Sequence, residues 1–512
     1  MKIHRGDIDG SIDVRWIGSH GPIAVPRPFF AQLIGVARSL ACASVCLLAS
    51  PALAQTCPLP TPAFDTPLAP VAADLGSRRY LLGDVGGLRP WLTKQGIDVC
   101  LQETGEVLGN ATGGTRQGAA YDGLTAMSIQ LDTKTAVGLE GGTFNVSALQ
   151  IYGRNLSVKN LASLQIASNI EADRATRLWE LWYKQAFPDQ PWDVKLGQQS
   201  LDQEFIGNQY SSVFVNSVMG WPALPSADLI AGGPAYPLST LGLRLRAMPT
   251  DSLSMLAGVF DDNPAGRDAT PIGTADPQKL NASGTNFRVS DSPLLIAELQ
   301  YSLNPPPPDG ADKAKQPTGL PGTYKFAGWY DAGKFADREI DSSGLSLANP
   351  ASSGVPRLHR GEYGIYALAD QMVWHSDDAV QRAVGLFIRA MGAPQEDRNP
   401  IDVSVDAGLA FRGALPGRVY DVAGVGFGYA KLSGGAMALD RDRGFFTGTP
   451  YPVRSSEEFV EVTYQYQVTP WWQLQPDFQY VLNPGGGILN PNNVHRRVGN
   501  EAVLGLRTNI AF

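Results

Sequence analysis

The sequence predicts an all-β fold, an outer-membrane β-barrel of about 16 antiparallel strands, and three observations predict it. Apolar residues recur at every second position in segment after segment, the period of a strand. The amino terminus carries an export signal. No stretch after that signal holds ~18 uninterrupted apolar residues, so a membrane would have to be crossed by strands rather than helices.

The leader comes first along the chain. Arg38 precedes an apolar run from Leu40 to Leu48, and Ser50-Pro51-Ala52-Leu53-Ala54-Gln55 follows with the small-x-small pattern of a signal-peptidase site. Residues 1–54 are expected to be removed, because the run is too short to span hydrocarbon. The lead before Arg38 is unusually long and holds Asp7, Asp9 and Asp13, which fits a start downstream of Met1. At 43% hydrophobic and 18% charged residues the chain suits a large fold rather than disorder, and Gly 56 with Pro 38 suits many turns. Removing residues 1–54 takes five basic and three acidic residues and moves the net charge from −8 to −10, which argues against a nucleic-acid partner. Cys42 and Cys46 leave with the leader. Cys57 and Cys100 remain, a candidate disulfide in an oxidising compartment that would tie the tail to the first strand.

Residues 55–96 read as an amino-terminal periplasmic tail and short helix. Gln55–Ala73 is rich in Pro and Ala, and Tyr80–Gly96 places Pro90 in a first turn and Gly96 at a carboxy-terminal cap. Residues 97–512 carry the barrel. The terminal stretch Asn500–Phe512 alternates Ala502, Leu504, Leu506, Thr508, Ile510 and Phe512 against Val503, Gly505, Arg507, Asn509 and Ala511. In Ile401–Phe411 a fully apolar set faces away from Asp402, Ser404 and Asp406, acids that must meet water or partners. Thr240–Met248 sets leucines against Arg244 and Arg246, and Leu295–Leu303 sets its apolar residues against Ile296, Glu298, Gln300 and Ser302. Val384–Met391, Phe459–Val468 and Trp472–Val481 repeat the arrangement. Nine weaker segments, among them Arg177–Phe187 and Tyr363–Trp374, complete the count.

Connectors alternate between short turns, such as Pro249-Thr250-Asp251, and long loops, such as Ser200–Ser239 and Leu432–Glu458, the barrel habit of short periplasmic and long external links. The Pro305–Pro321 stretch breaks the habit and reads as a stiff periplasmic excursion. Trp329-Tyr330, Trp374, Trp471-Trp472 and Tyr480 fall at segment ends, where aromatic girdles are expected.

Catalytic signals are weak. His359, His375 and His495 are scattered without metal-ligand spacing, so no catalytic residues, metal or cofactor are expected. Gly328–Lys334 mimics the start of a phosphate-binding loop, but Phe335 follows where Ser or Thr is needed. Asp261-Asp262-Asn263 resembles a calcium loop only faintly, since Ala265 and Ile272 stand at ligand positions.

The informative residues are the polar ones on the inward face. Arg244, Arg246, Arg389 and Arg507 stand with Glu298, Asp402, Asp406, Glu461 and Asp477. Such a mixed set offers donors and acceptors to hydroxyls without the single-sign field that would favour ions. Trp221, Tyr236 and Phe214 would add flat apolar surface for a sugar ring if the Ser200–Ser239 loop folds inward. The competing reading of the charges is structural, as ion pairs that join strands.

Several blocks then carry a resemblance: Leu81-Leu-Gly-Asp-Val-Gly-Gly-Leu-Arg-Pro90, Thr104–Asn110, Gly141–Gly153, Gly220-Trp-Pro222, Gly232–Pro237, Val259-Phe-Asp261 with Pro264-Ala-Gly266, and His359-Arg-Gly361 through Ala369-Asp-Gln371. On these the chain resembles the carbohydrate-selective porin family of the OprB type. The resemblance implies a 16-stranded outer-membrane barrel that passes sugars by facilitated diffusion through a constriction of charged and aromatic side chains. Expected partners are sugars and outer-membrane lipid, with a homo-oligomer left open. The rivals are an outer-membrane barrel serving as an enzyme or adhesin, and a soluble secreted β-protein.

Overall fold

The computed structural model describes Ala63 and residues 74–512, apart from 189, 267–269, 271, 274, 306–318 and 377–381. The expected leader, most of the 55–73 tail including Cys57, and most of the Pro305–Pro321 excursion lie outside the described residues.

Sixteen strands close into one antiparallel barrel. In chain order they are β1 (Ile97–Thr112), β2 (Gly118–Asp132), β3 (Gly142–Gly153), β4 (Ala175–Ala186), β5 (Trp192–Gln199), β6 (Thr240–Thr250), β7 (Leu253–Asp261) and β8 (Pro293–Leu303). The second half comprises β9 (Gly322–Asp341), β10 (Pro356–His375), β11 (Ala383–Gly392), β12 (Ile401–Arg412), β13 (Val422–Leu432), β14 (Ser456–Thr469), β15 (Trp472–Leu482) and β16 (Glu501–Ala511). Each strand pairs with its sequence neighbours, and β16 closes on β1 through a register running from Gln102↔Ala511 to Thr112↔Ala502. Closure leaves no unpaired edge, the condition for backbone in hydrocarbon. Among the described residues no helix is long and apolar enough to cross a membrane.

The period of two sets the faces. Leu504 and Leu506 are 56% and 52% exposed, whereas Val503 is fully buried and Arg507 nearly so. The same split holds on β6, where Leu243 and Leu245 are exposed and Arg244 is buried. The outer surface is therefore the apolar one, as a bilayer requires. Tyr330, Trp374 and Tyr480 stand exposed on it. Trp329 corrects the expected girdle: its ring is buried inside the barrel and its Nε1 donates to Glu362 at 2.9 Å. Adjacent strand residues point to opposite faces, so Trp329 and Tyr330 cannot both meet lipid.

The carboxy-terminal residue meets the segment before β1 at the short-turn end. The short helix forms as Leu88–Lys94, and within it Arg89 donates to the carbonyls of Val99 and Phe512, each at 2.8 Å, and lies over the Tyr80 ring. Cys100, on β1, is disulfide-bonded.

Part of the inward face is apolar. Leu256, Phe260, Leu294, Ile296, Tyr366, Leu368 and Phe387 point inward and form a core with Phe205, Tyr210, Phe214, Met219 and Leu224 of the 200–239 loop. A loop folded into a barrel needs apolar burial of its own to stay there, and this wall provides it.

Candidate functional site

Two long segments narrow the bore: 154–174, between β3 and β4, and 200–239, between β5 and β6. Both are held by acids on the barrel wall that accept backbone N–H groups. Glu461 takes Val215 N at 2.6 Å and Asn216 N at 3.1 Å, Glu298 takes Ile206 N at 3.1 Å, and Asp370 takes Tyr210 N at 3.1 Å. Glu457 does the same for Leu164 and Gln165 at 2.7 and 2.8 Å, and Glu501 for Ala162 at 3.0 Å. The segments also bond to each other, Asn169 N to Val215 O at 2.8 Å and Ser217 N to Ile166 O at 3.0 Å. Irregular backbone at membrane depth must find its partners inside the protein, and here the wall carboxylates supply them.

Glycines make the room. On β13 the outward positions are Val425 and Phe427, so Gly424, Gly426 and Gly428 face in. A Cβ at Gly426 would stand 2.8 Å from both Phe214 and Met219, so the strip is a trough shaped to the 200–239 loop.

Against this frame the expected site residues divide. Arg389 is fully buried: Nη1 donates to Ile206 O at 2.9 Å and Gly220 O at 3.1 Å, Nη2 to Val218 O, and its ion pair with Asp406 is 2.9 Å long. Glu298 is buried beneath the loop and also accepts from the Tyr366 hydroxyl. Arg507 bridges Glu106 at 2.8 Å and Asn169 at 2.9 Å. Arg244 lies between Asp193 and Glu204, and Asp402 pairs with Lys431 at 2.8 Å. These six, counting Asp406, clamp loops and strands.

Arg246, half-buried, is the one expected arginine left partly accessible. Among the aromatics, Phe214 is buried against Phe387 with ring centroids 5.6 Å apart. The Tyr236 hydroxyl donates to Ile170 O at 2.9 Å, and Trp221 Nε1 to Gly232 O at 2.9 Å. The loop does fold inward, but it uses these rings to hold itself in place.

Loop electrostatics follow from burial and neighbours. Burial works against the charge on Glu204, but Lys195 and Arg244 outweigh it and hold its carboxyl down at about 2. Burial pushes Glu171, which accepts from Leu156 N and Ser157 N, up to about 8 despite those bonds.

Two features escaped the sequence reading. Arg177 on β4 is 1% exposed, and its three guanidinium nitrogens have no hydrogen-bond partner. The register skips between Ser147↔Glu180 and Ala148↔Leu178, a bulge at Trp179, and that breaks the alternation that would have shown Arg177 to face inward. The other feature is that half-buried inward amides gather near the short-turn end: Gln102, Gln130, Gln300, Gln467, Gln473 and Asn509, of which the alternation had put Gln300 and Asn509 on the polar face without assigning them to the solute path. Alternate glutamines such as Gln473 and Gln475 were the available signal. Among the described residues no cluster of His, Cys, Asp and Glu could hold a metal ion.

This architecture matches known proteins. A family described as "Carbohydrate-selective porin, OprB family" matches residues 116–512. Porin B of Pseudomonas aeruginosa is 25% identical over 432 residues, 80% of this chain and 87% of that protein. The high-pH structure of Pseudomonas putida OprB superposes with a TM-score of 0.71 at 24% identity, covering 86% of this chain and 100% of that one. The low-pH structure gives 0.52 at 18% identity, covering 85% and 99%. At these identities the two structures speak for the fold.

Proposed function

Because the chain belongs to the carbohydrate-selective porin family of the OprB type, and is thus an outer-membrane channel for sugars, we propose that it favours neutral saccharides. Their diffusion runs past the two inward loops and through the amide-lined periplasmic part of the bore. The observation that carries this reading is the amide set. Each carboxamide offers a donor and an acceptor, so it can replace a water on a sugar hydroxyl without imposing a field that attracts ions. Most charges of the inner wall are paired or committed to loop backbone, which leaves little free charge to the solute. Arg246 and the half-buried Lys184 are the cations we assign to the solute path.

Passage needs no turnover chemistry on this reading. Contacts need only be weak enough to release the sugar on the periplasmic side. Liposome swelling with a neutral monosaccharide and its uronic acid tests the selectivity: the neutral sugar is expected to enter faster, and Gln300→Glu with Gln473→Glu to shift ion selectivity towards cations. Equal entry of both sugars into wild-type liposomes would end the proposal.

A further inference from the structure

The β9–β10 hairpin rises above the wall on both sides. Its neighbours stop early: β8 pairs with β9 only as far as Asp331 and β11 with β10 only as far as Ile365, whereas the hairpin ladder runs on to Asp341↔Pro356. At the level where the neighbours end stand Tyr330 and Tyr363, direct cross-strand partners on the outer face that are 45% and 46% exposed.

Beyond these tyrosines the outer face carries charge. A Cβ at Gly333 would meet Asp262 and the Phe335 ring is buried, so positions 333 and 335 face inward and Lys334 faces out. Its direct cross-strand partner is Arg360, which is exposed as well. Plain alternation from the buried Glu362 would have turned Arg360 into the bore. Between the two, Gly361 takes φ +80° where the register slips, and this bulge turns Arg360 to the outside. The Tyr330 ring covers that glycine, since a Cβ there would stand 2.8 Å from the phenol oxygen.

Two like charges directly opposite each other on a sheet cost stability unless an anion joins them. Among the described residues neither the Lys334 ammonium nor the Arg360 guanidinium has an acid partner. The neighbouring Arg398 donates to the carbonyls of Arg360 and Gly361 and is itself neutralised by Asp397 at 2.8 Å. The height of the pair is that of lipid headgroups. Tyr324, the first outward aromatic of β9, precedes Lys334 by ten residues, which on a strand tilted ~40° is about 25 Å, the height of the apolar band. Lys334 and Arg360 therefore stand at its external edge.

We propose that Lys334 and Arg360 bind the phosphate of an outer-leaflet lipid, the phosphorylated glucosamine headgroup of lipopolysaccharide. A phosphate monoester carries close to two negative charges at neutral pH, which matches the two cations, whereas the diester of a phospholipid carries one. The guanidinium supplies a planar fork to two of its oxygens and the ammonium a compact charge to the third. Tyr330 and Tyr363 lie just below, where amphipathic rings line the boundary between headgroup and acyl chain. The site does not depend on which solutes cross the bore.

The test uses the full chain in mild detergent, delipidated and then titrated with lipid A, the phosphorylated lipid portion of lipopolysaccharide. Native mass spectrometry is expected to show lipid A retained by wild type, and the combined Lys334→Gln and Arg360→Gln variant to bind it about thirtyfold more weakly. Wild type is expected to bind dephosphorylated lipid A as weakly as that variant binds lipid A. Arg116→Gln with Arg174→Gln removes the same charge from exposed external positions, and it is expected to bind lipid A as wild type does. Both variants should keep the heat-modifiable gel mobility of a folded barrel. Equal retention by wild type and the Lys334 and Arg360 variant, an equal loss in the Arg116 and Arg174 variant, undiminished binding of the dephosphorylated lipid, or inorganic phosphate alone binding as tightly as lipid A would overturn the proposal.

Discussion

Arg389 on β11 and Asp406 on β12 are direct cross-strand partners, with Nε and Nη2 of the arginine 3.1 and 2.9 Å from one carboxylate oxygen. The same guanidinium holds three carbonyls of the 200–239 loop. One side chain therefore ties wall to wall and wall to loop.

Replacing it should be felt in stability as well as in flow. Arg389→Met strands a buried carboxylate, which costs about 3–5 kcal/mol. The expected outcome is a lower barrel unfolding temperature together with larger, noisier single-channel currents. Arg177→Met removes a buried cation that has no hydrogen-bond partner, so its unfolding temperature should be unchanged or higher. Equal losses in the two variants would contradict the clamp.

The glycine trough on β13 gives an independent handle on the same loop. Gly426→Val places a branched side chain where Phe214 and Met219 now lie. The loop should be pushed from the wall and conductance should change, while heat-modifiable gel mobility of the barrel is retained. An unaltered conductance would mean that this loop does not set the constriction.

Glu171 predicts a pH dependence. Its carboxyl titrates near 8 in the fold, above the ordinary carboxyl range, so the folded state binds the extra proton. The stability it contributes is fully present below the unfolded value near 4.3 and is lost as pH rises through about 8. Unfolding temperatures of wild type should therefore fall more steeply between pH 5 and 9 than those of Glu171→Gln. Parallel slopes would remove Glu171 as the cause.

For the bonded Cys100 the expected partner is Cys57. Without reduction, the secreted chain should take up no thiol reagent, and Cys57→Ser should free one reactive thiol at Cys100. A Cys57→Ser chain that still shows no free thiol would assign the bond elsewhere.

Much of the fold was legible because a barrel in lipid imposes a strict code. Every second residue must suit acyl chains, so Leu504 and Leu506 or Leu243 and Leu245 reveal strand, face and register together. The code fails where a bulge interrupts it, as at Trp179, and Arg177 was missed for that reason. It also fails just outside the periodic core of a strand: Glu457 and Glu501 sit at the external ends of β14 and β16 and escaped notice as loop acceptors.

The site itself was legible only as a set of inward charges. Arg244, Arg389, Asp406 and Arg507 are inward as their spacing requires, but spacing cannot say whether an inward charge meets solute or backbone. That depends on where residues 154–174 and 200–239 lie, which is a matter of contacts between positions hundreds of residues apart, such as Val215 with Glu461.

The sequence by itself determined the strand count, the lipid-facing side and the sign balance of the interior, because these depend on near-neighbour periodicity in a solvent that tolerates no unpaired backbone. Only the tertiary structure decided that the loops fill part of the bore and that most of the charges hold those loops. It alone also placed Lys334 and Arg360 side by side on the outer face, because cross-strand register brings together residues that no local pattern relates.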